Sequence, residues 1–288
     1  NILLHAMNAV LLWRLLCRLR MPGSWTAAAI FAIHPFHVQS VAWIVELKNV
    51  LSMVFFLSSA LAMTNAFGFS QTQHEKTSQQ TLLVRCIWYA AALFLFGCAL
   101  LSKTATAFLP IALFLVLWWK RNRLNPLEVV ALTPMLLIGI VFVAVTSYFE
   151  SRFSAAVDPD FANNWLEKCL IAGRSIGFYA GKLLWPDTFI PIYPRWQIDP
   201  GQWEQFLYPI GGLVVLALLW VLRRRIGKAP FTAIAYFVLA LVPSSFANIA
   251  FQRFSYVADH WQYWASIGPI ALIASVGAVA ASRFPRWN

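Results

Sequence analysis

The chain has 288 residues, 60% of them apolar and only 11% charged, with a mean hydropathy of +0.66. A soluble domain carries roughly a quarter of its residues as charges, so a soluble globular fold is excluded. The formal net charge of +11 sits on the flanks of apolar runs, where cations orient membrane helices, and with no RNA- or DNA-binding motif no nucleic-acid partner is expected.

Stretches 21–45, 49–74, 129–149, 229–252 and 261–282 contain no Asp, Glu, Lys or Arg. About 20 apolar helical residues cross a ~30 Å hydrocarbon core, and a soluble core helix of that length would show a charged face. The expected fold class is therefore all-α, a polytopic integral membrane protein whose residues 1–288 form a single transmembrane domain. Taken in order, the pattern predicts nine spans: 2–18, 25–45, 49–69, 84–102, 104–119, 128–148, 206–222, 230–250 and 264–282. With Asn1 outside and the C-terminus cytoplasmic, the inner loops hold Arg14, Arg18 and Arg20, then Lys76 and Arg85, then Lys120, Arg121 and Arg123, then Arg223, Arg224, Arg225 and Lys228, and finally Arg283 and Arg286. That places 14 of the 22 basic residues inside, against two of the 11 acidic ones, Glu75 and Glu128. Short inner loops rich in Lys and Arg are what fixes orientation.

Segment 163–186 is helix-like but carries Glu167, Lys168, Arg174 and Lys182. As a span it would turn Arg223–Arg225 outward, so it is expected to lie in the interface or to re-enter. Residues 149–205 then form one long external loop. Four scattered cysteines, Cys17, Cys86, Cys98 and Cys169, form no CxxC and read as free, buried apolar residues. VPSS at 242–245 reads as a broken mid-span segment.

The outward side gathers the unusual residues. In IHPFHVQSVAWIVELKN, His34 and His37 share a helix face, Pro35 between them is expected to kink or unwind the helix, and Glu46, Lys48 and Asn49 close the span. HPFH resembles half of a metal site but lacks HExxH spacing and a third ligand, so no metal is assigned. Lys103 lies in the turn LLSKTATAFLP; Arg174, Lys182, Tyr193 and Arg195 lie in the long loop; Arg253, Asp259 and His260 lie in FQRFSYVADHWQYWAS. A single cation at a helix end often snorkels to headgroups, but several beside an aromatic-rich loop would also suit a phosphorylated lipid. Glu46 and Asp259 are either bases or ion-pair partners of Lys48 and Arg253.

AAAIFAIHPFHVQSVAWIVELKNVLSMVFFL, ALLSKTATAFLP, AGRSIGFYAGKLLWPDTFIPIYPRWQID and VADHWQYWASIG resemble, in order and spacing, the membrane part of bacterial proteins related to the transmembrane-and-TPR O-mannosyltransferases. These belong to the GT-C superfamily of polyprenyl-phosphate-sugar glycosyltransferases. The resemblance implies a cavity, facing outward from a bacterial inner membrane, that binds a polyprenyl-phosphate-linked sugar, mannose for example, and an inverting transfer to a protein or glycan acceptor. By this likeness His34, Glu46, Lys48 and Asn49 fall on the polar motif, Lys103 on the next external cation, and Arg174, Lys182 and Arg195 on the loop motif. Together with the shared side, this makes Lys48, Lys103, Arg174, Lys182 and Arg195 the candidate donor-phosphate ligands. His34, His37, Asn49, Tyr193 and His260 are then the cavity or acceptor candidates.

The family pattern also places one further span and an acidic first external loop, holding the catalytic base, ahead of the position of Asn1; within the chain Glu46 and Asp259 are the weaker candidates. Where the family has an acid and a cation, the chain has Gln39 and Leu47, and no TPR pattern follows the last span. The competing classes are a transporter or lipid flippase, which favours internal repeats and broken segments near the midplane, and an inactive membrane scaffold.

Overall fold

Surrounded by hydrocarbon, each backbone N–H and C=O must find its partner within the chain, which leaves a long apolar run little choice but helix. The computed structural model describes residues 1–69, 81–121, 123–153, 163–247 and 254–283, and among these the regular structure is helical, with no strand. The protein is an all-α membrane protein. Its helices are α1 (Ile2–Arg18), α2 (Ser24–Ile33), α3 (Val38–Ala42), α4 (Leu47–Ala66), α5 (Leu82–Ser102), α6 (Leu109–Lys120), α7 (Pro126–Val130), α8 (Thr133–Phe153), α9 (Trp165–Leu184), α10 (Leu207–Ile226), α11 (Ala229–Ala247), α12 (Gln262–Ala265) and α13 (Ile267–Arg283).

The central helix is α4, which packs along α1, α5 and α6 and buries Val50, Met53, Leu57, Ala60 and Met63. The last helix, α13, closes the bundle against α2 and α11. At the periphery α10 rests on α9 and α11 with no residue fully buried, so its Leu and Val side chains are left for lipid. Where sequence predicts nine spans, four described stretches are long and apolar enough to cross a membrane by themselves: Ile44–Ala66, Leu82–Ser102, Pro126–Glu150 and Trp203–Ile226. A fifth is the pair Asp259–Ala265 and Ile267–Arg283, bent by 56°. The other apolar runs are shorter helices, Ser24–Ile33 and Thr104–Lys120 among them, because extended residues interrupt them.

Three further expectations meet the structure here. Segment 163–186 is the single helix α9, opened by a capping box in which Asn164 and Glu167 satisfy each other's backbone amides. Its apolar face, with Leu170, Ile171, Tyr179 and Leu183, is buried. The break expected at 242–245 is absent: α11 runs from Ala229 through Pro243 to Ala247, since a membrane helix tolerates a proline whose freed carbonyl is satisfied nearby. The cysteines are not buried; Cys86 and Cys169 are exposed, a place where a small apolar side chain is stable when the outer surface faces lipid.

On the arginine-rich side the helix ends are tied by side chains. Lys228 Nζ donates to Trp118 O at 2.9 Å, and Arg121 Nη2 donates to Phe67 O at 2.7 Å and to Glu128 Oε1 at 2.8 Å. Close helix approach depends on small residues. A Cβ on Gly268 would collide with Ala233 O, and one on Gly173 would lie 2.5 Å from Pro209 N. Gly173→Leu and Gly268→Leu are each expected to destabilise the detergent-solubilised protein by about 1–3 kcal/mol, read as an earlier loss of helicity or of monodisperse elution on denaturation.

Candidate functional site

Among the described residues, four 3₁₀ turns each follow an extended residue; at three of them the chain has just left a helix, and the fourth follows the loop at 254–258. The extended residues are His34, Trp43, Lys103 and Ala258, with φ of −65°, −82°, −160° and −149°. The turns that follow are Pro35–His37, Ile44–Glu46, Thr104–Phe108 and Asp259–Trp261. Pro35 does here what its chemistry predicts, ending α2. Each break releases backbone groups, and side chains take up several of them: Asn1 at Trp43 O, Thr106 at Lys103 O, and Tyr179, Gln39 and Asn49 at Ala258 and His260.

Asn49, in the first turn of α4 and wholly buried, is the junction. Its amide donates to His260 O at 3.2 Å and to Ser40 Oγ at 3.3 Å, and its Oδ1 accepts from Lys103 Nζ. Gln39 Oε1 accepts from His260 N at 2.8 Å and faces His260 Nδ1 at 3.1 Å. Glu46 lies beneath this junction, 2% exposed. Its Oε1 is 3.7 Å from Lys48 Nζ and 4.0 Å from His260 Nε2, and its Oε2 has no hydrogen-bond partner. Lys103 Nζ also stands 4.8 Å from the centre of the Trp264 ring. Lys103 lies just beyond the end of α5, where burial pushes its ammonium down to about 7, with Glu46 opposing that fall and Lys48 adding to it.

A second group surrounds Asp259. Tyr193 donates to Asp259 Oδ1 at 2.8 Å; burial first, then this carboxyl, raise the Tyr193 hydroxyl well above its ordinary range, so it remains a donor. Tyr179 donates to Ala258 O at 3.0 Å and accepts from Ala258 N at 2.9 Å, closing both backbone groups of that break. Lys182 is occupied by its own loop: it donates to Asp187 Oδ1 at 2.6 Å, to Asp187 O at 2.8 Å and to Thr188 O at 2.9 Å. That side-chain hydrogen bond holds the exposed Asp187 carboxyl below its usual range. A third group is cationic and aromatic. Arg195 Nε donates to Tyr256 OH at 2.9 Å, and the Arg174 guanidinium lies 4.6 Å from the Trp196 ring centre and 5.8 Å from that of Tyr208.

The sequence-predicted residues therefore divide. Glu46, Lys48, Asn49, Lys103 and His260 meet in one layer, Tyr193 and Asp259 pair beside it, and Arg174 and Arg195 share an aromatic wall. His34 bonds Leu183 O at 3.1 Å, joining the first break to the end of α9. His37 is packed among Phe31, Tyr263 and His5 with ring centres 4.5, 5.0 and 5.6 Å away, and neither ring nitrogen has a hydrogen-bond partner. Among the described residues no three metal-ligating groups converge. Arg253, offered as a partner for Asp259, lies outside the described residues. Sequence reasoning missed Gln39, read only as a departure from an acid, together with Ser40, Tyr179 and Trp264; an isolated Gln in an apolar run was the available signal.

Over 70 residues the chain is 37% identical to protein O-mannosyl-transferase TMTC3 of Mus musculus, a match that covers 24% of this chain and 8% of that protein. The chain thus spans only about 8% of the length of the curated relative it matches. No family model matches the chain, and no solved structure matches it.

Replacing Gln39 by Leu would leave the buried His260 amide without its acceptor. Gln39→Leu is expected to cost about 1–3 kcal/mol in a denaturant titration of the solubilised protein, with Gln39→Glu recovering most of it.

Proposed function

We propose that this membrane protein transfers a sugar from a polyprenyl-phosphate-linked donor to an acceptor on the non-cytoplasmic side, with mannose the sugar that the name of the matched relative favours. The observation that carries this reading is the layer in which Asn49 and Glu46 hold Lys103 and Lys48 side by side. Two ammonium groups next to a buried carboxylate and an aromatic ring suit a lipid phosphodiester whose negative charge grows as the sugar leaves. In this reading Lys103 and Lys48 contact the donor phosphate, Asn49 aims Lys103, and Arg174 and Arg195 form an outer cationic wall for the incoming donor. Lys182 instead braces the loop that carries Tyr193. Glu46 Oε2, buried without a partner, is the position at which an acceptor hydroxyl would be received. An outward-facing Asn1 rests on the cationic inner loops and the bacterial inner membrane on the family resemblance; both belong to the same proposal.

Lys103→Ala is expected to weaken binding of a polyprenyl-phosphate sugar by roughly tenfold or more, since a charge-assisted hydrogen bond is worth about 1.5–3 kcal/mol. Lys103→Arg should retain part of the affinity. Scintillation proximity or microscale thermophoresis on the purified protein in detergent measures both, and unchanged affinity in Lys103→Ala and Lys48→Ala removes the phosphate assignment.

The donor phosphodiester keeps one charge near neutrality, whereas Lys103 titrates at about 7. Ionised Lys103 is the binding form, so affinity is expected to be full below that value and to fall as pH rises through and beyond it. In Lys103→Arg the fall should vanish, because guanidinium stays charged.

A further inference from the structure

From the arginine-rich side inward, the C-terminal parts of α1 and α4, the length of α6 and α13 and the start of α11 line a cavity of about 540 Å³, within the roughly 300–1,000 Å³ of small-molecule sites. Its walls are apolar, and the charged residues that line it are Arg20, Lys120 and Arg283, with no carboxylate. Helix C-termini attract cations by their dipoles, so three charges at the ends of three helices would by themselves mean little. Here they belong to one apolar chamber. Arg20 stands close enough to Lys120 for their like charges to repel, and Lys120 Nζ rests 3.7 Å from the centre of the Trp119 ring, another lining residue. Arg20 also holds a left-handed backbone, φ 51°, a turn better served by glycine or asparagine.

The depth of the cavity identifies its occupant. Both Leu109 and Lys120, the two ends of α6, line it, and twelve helical residues rise roughly 17 Å. That is about half of a ~30 Å hydrocarbon core, the reach of one acyl chain. The cationic end lies on the arginine-rich side, which the positive-inside pattern assigns to the cytoplasm, where anionic lipids are drawn to basic clusters.

We propose that this cavity is a resident site for an anionic phospholipid of the inner leaflet, one acyl chain inserted between α4, α6 and α13 and the phosphate held at Arg20, Lys120 and Arg283. The inference does not depend on the sugar-transfer reading, none of whose residues lines the cavity. A lipid here fills space that protein side chains leave empty, and its phosphate relieves the repulsion between Arg20 and Lys120.

Native mass spectrometry of the protein released from mixed phosphatidylglycerol and phosphatidylcholine vesicles tests this. The wild-type protein should retain one phosphatidylglycerol in preference to phosphatidylcholine. The double variant Arg20→Gln/Lys120→Gln should lower that preference roughly tenfold, and Arg20→Lys/Lys120→Arg, which keeps the charges, should preserve it. Ala112→Phe, which fills the chamber, should evict the lipid while the protein still elutes as a single species. Equal retention of both lipids by the wild type, an unchanged preference in Arg20→Gln/Lys120→Gln, or displacement of the lipid by added polyprenyl phosphate overturns the proposal.

Discussion

A backbone amide or carbonyl freed from a helix inside a membrane has no water to turn to, and leaving it unpaired costs several kcal/mol. Most of the architecture can be read as a response to that constraint at four breaks. The residues that matter at the site are those that answer it: Asn49 takes up His260 O, Gln39 takes up His260 N, and Tyr179 serves both backbone groups of Ala258. Through Asn49 and Gln39 the break at 34–46 is bonded directly to the turn at 259–261, so these two cannot be adjusted one at a time.

This also explains why the cations near these breaks are not equivalent. Lys182 has three oxygen partners within 2.9 Å and is committed to the loop at 187–188, so its charge is spent locally. Lys103 has the Asn49 amide oxygen and a tryptophan face, partners that orient an ammonium without neutralising it. Arg174 and Arg195 lie on aromatic rings, an arrangement that desolvates a guanidinium on one face. A lone cation in a short external turn looks the same in sequence in each case.

Much of the helical frame was legible because it rests on composition: the first predicted span, 2–18, coincides with α1 (Ile2–Arg18), and Pro35 marks a true break. The other breaks were less visible. Lys103 leaves helix without a proline or glycine beside it, since packing around it, not local chemistry, sets its extended backbone. Pro243 misled in the opposite direction, sitting inside α11. At the site, charge drew attention to Glu46, Lys48 and Lys103, while neutral Gln39, Ser40 and Tyr179 passed unnoticed, because hydrogen bonds spanning up to 221 residues of sequence leave no periodic trace. His37 shows the converse: a histidine in a suggestive motif that belongs to an aromatic cluster.

The bond between Gln39 and His260 has a consequence for how the protein is made. Segment 25–45 leaves the ribosome as an uninterrupted apolar run that an insertion machinery would accept as one straight helix; of the partners that hold it broken, Asn1 at Trp43 O and the His34 ring at Phe36 N are made early. Others come later: Lys103, which bonds Asn49, is 54 residues further on, and His260, which bonds Gln39, is 221 residues further on, so the polar layer is completed only after α1–α11 have been synthesised.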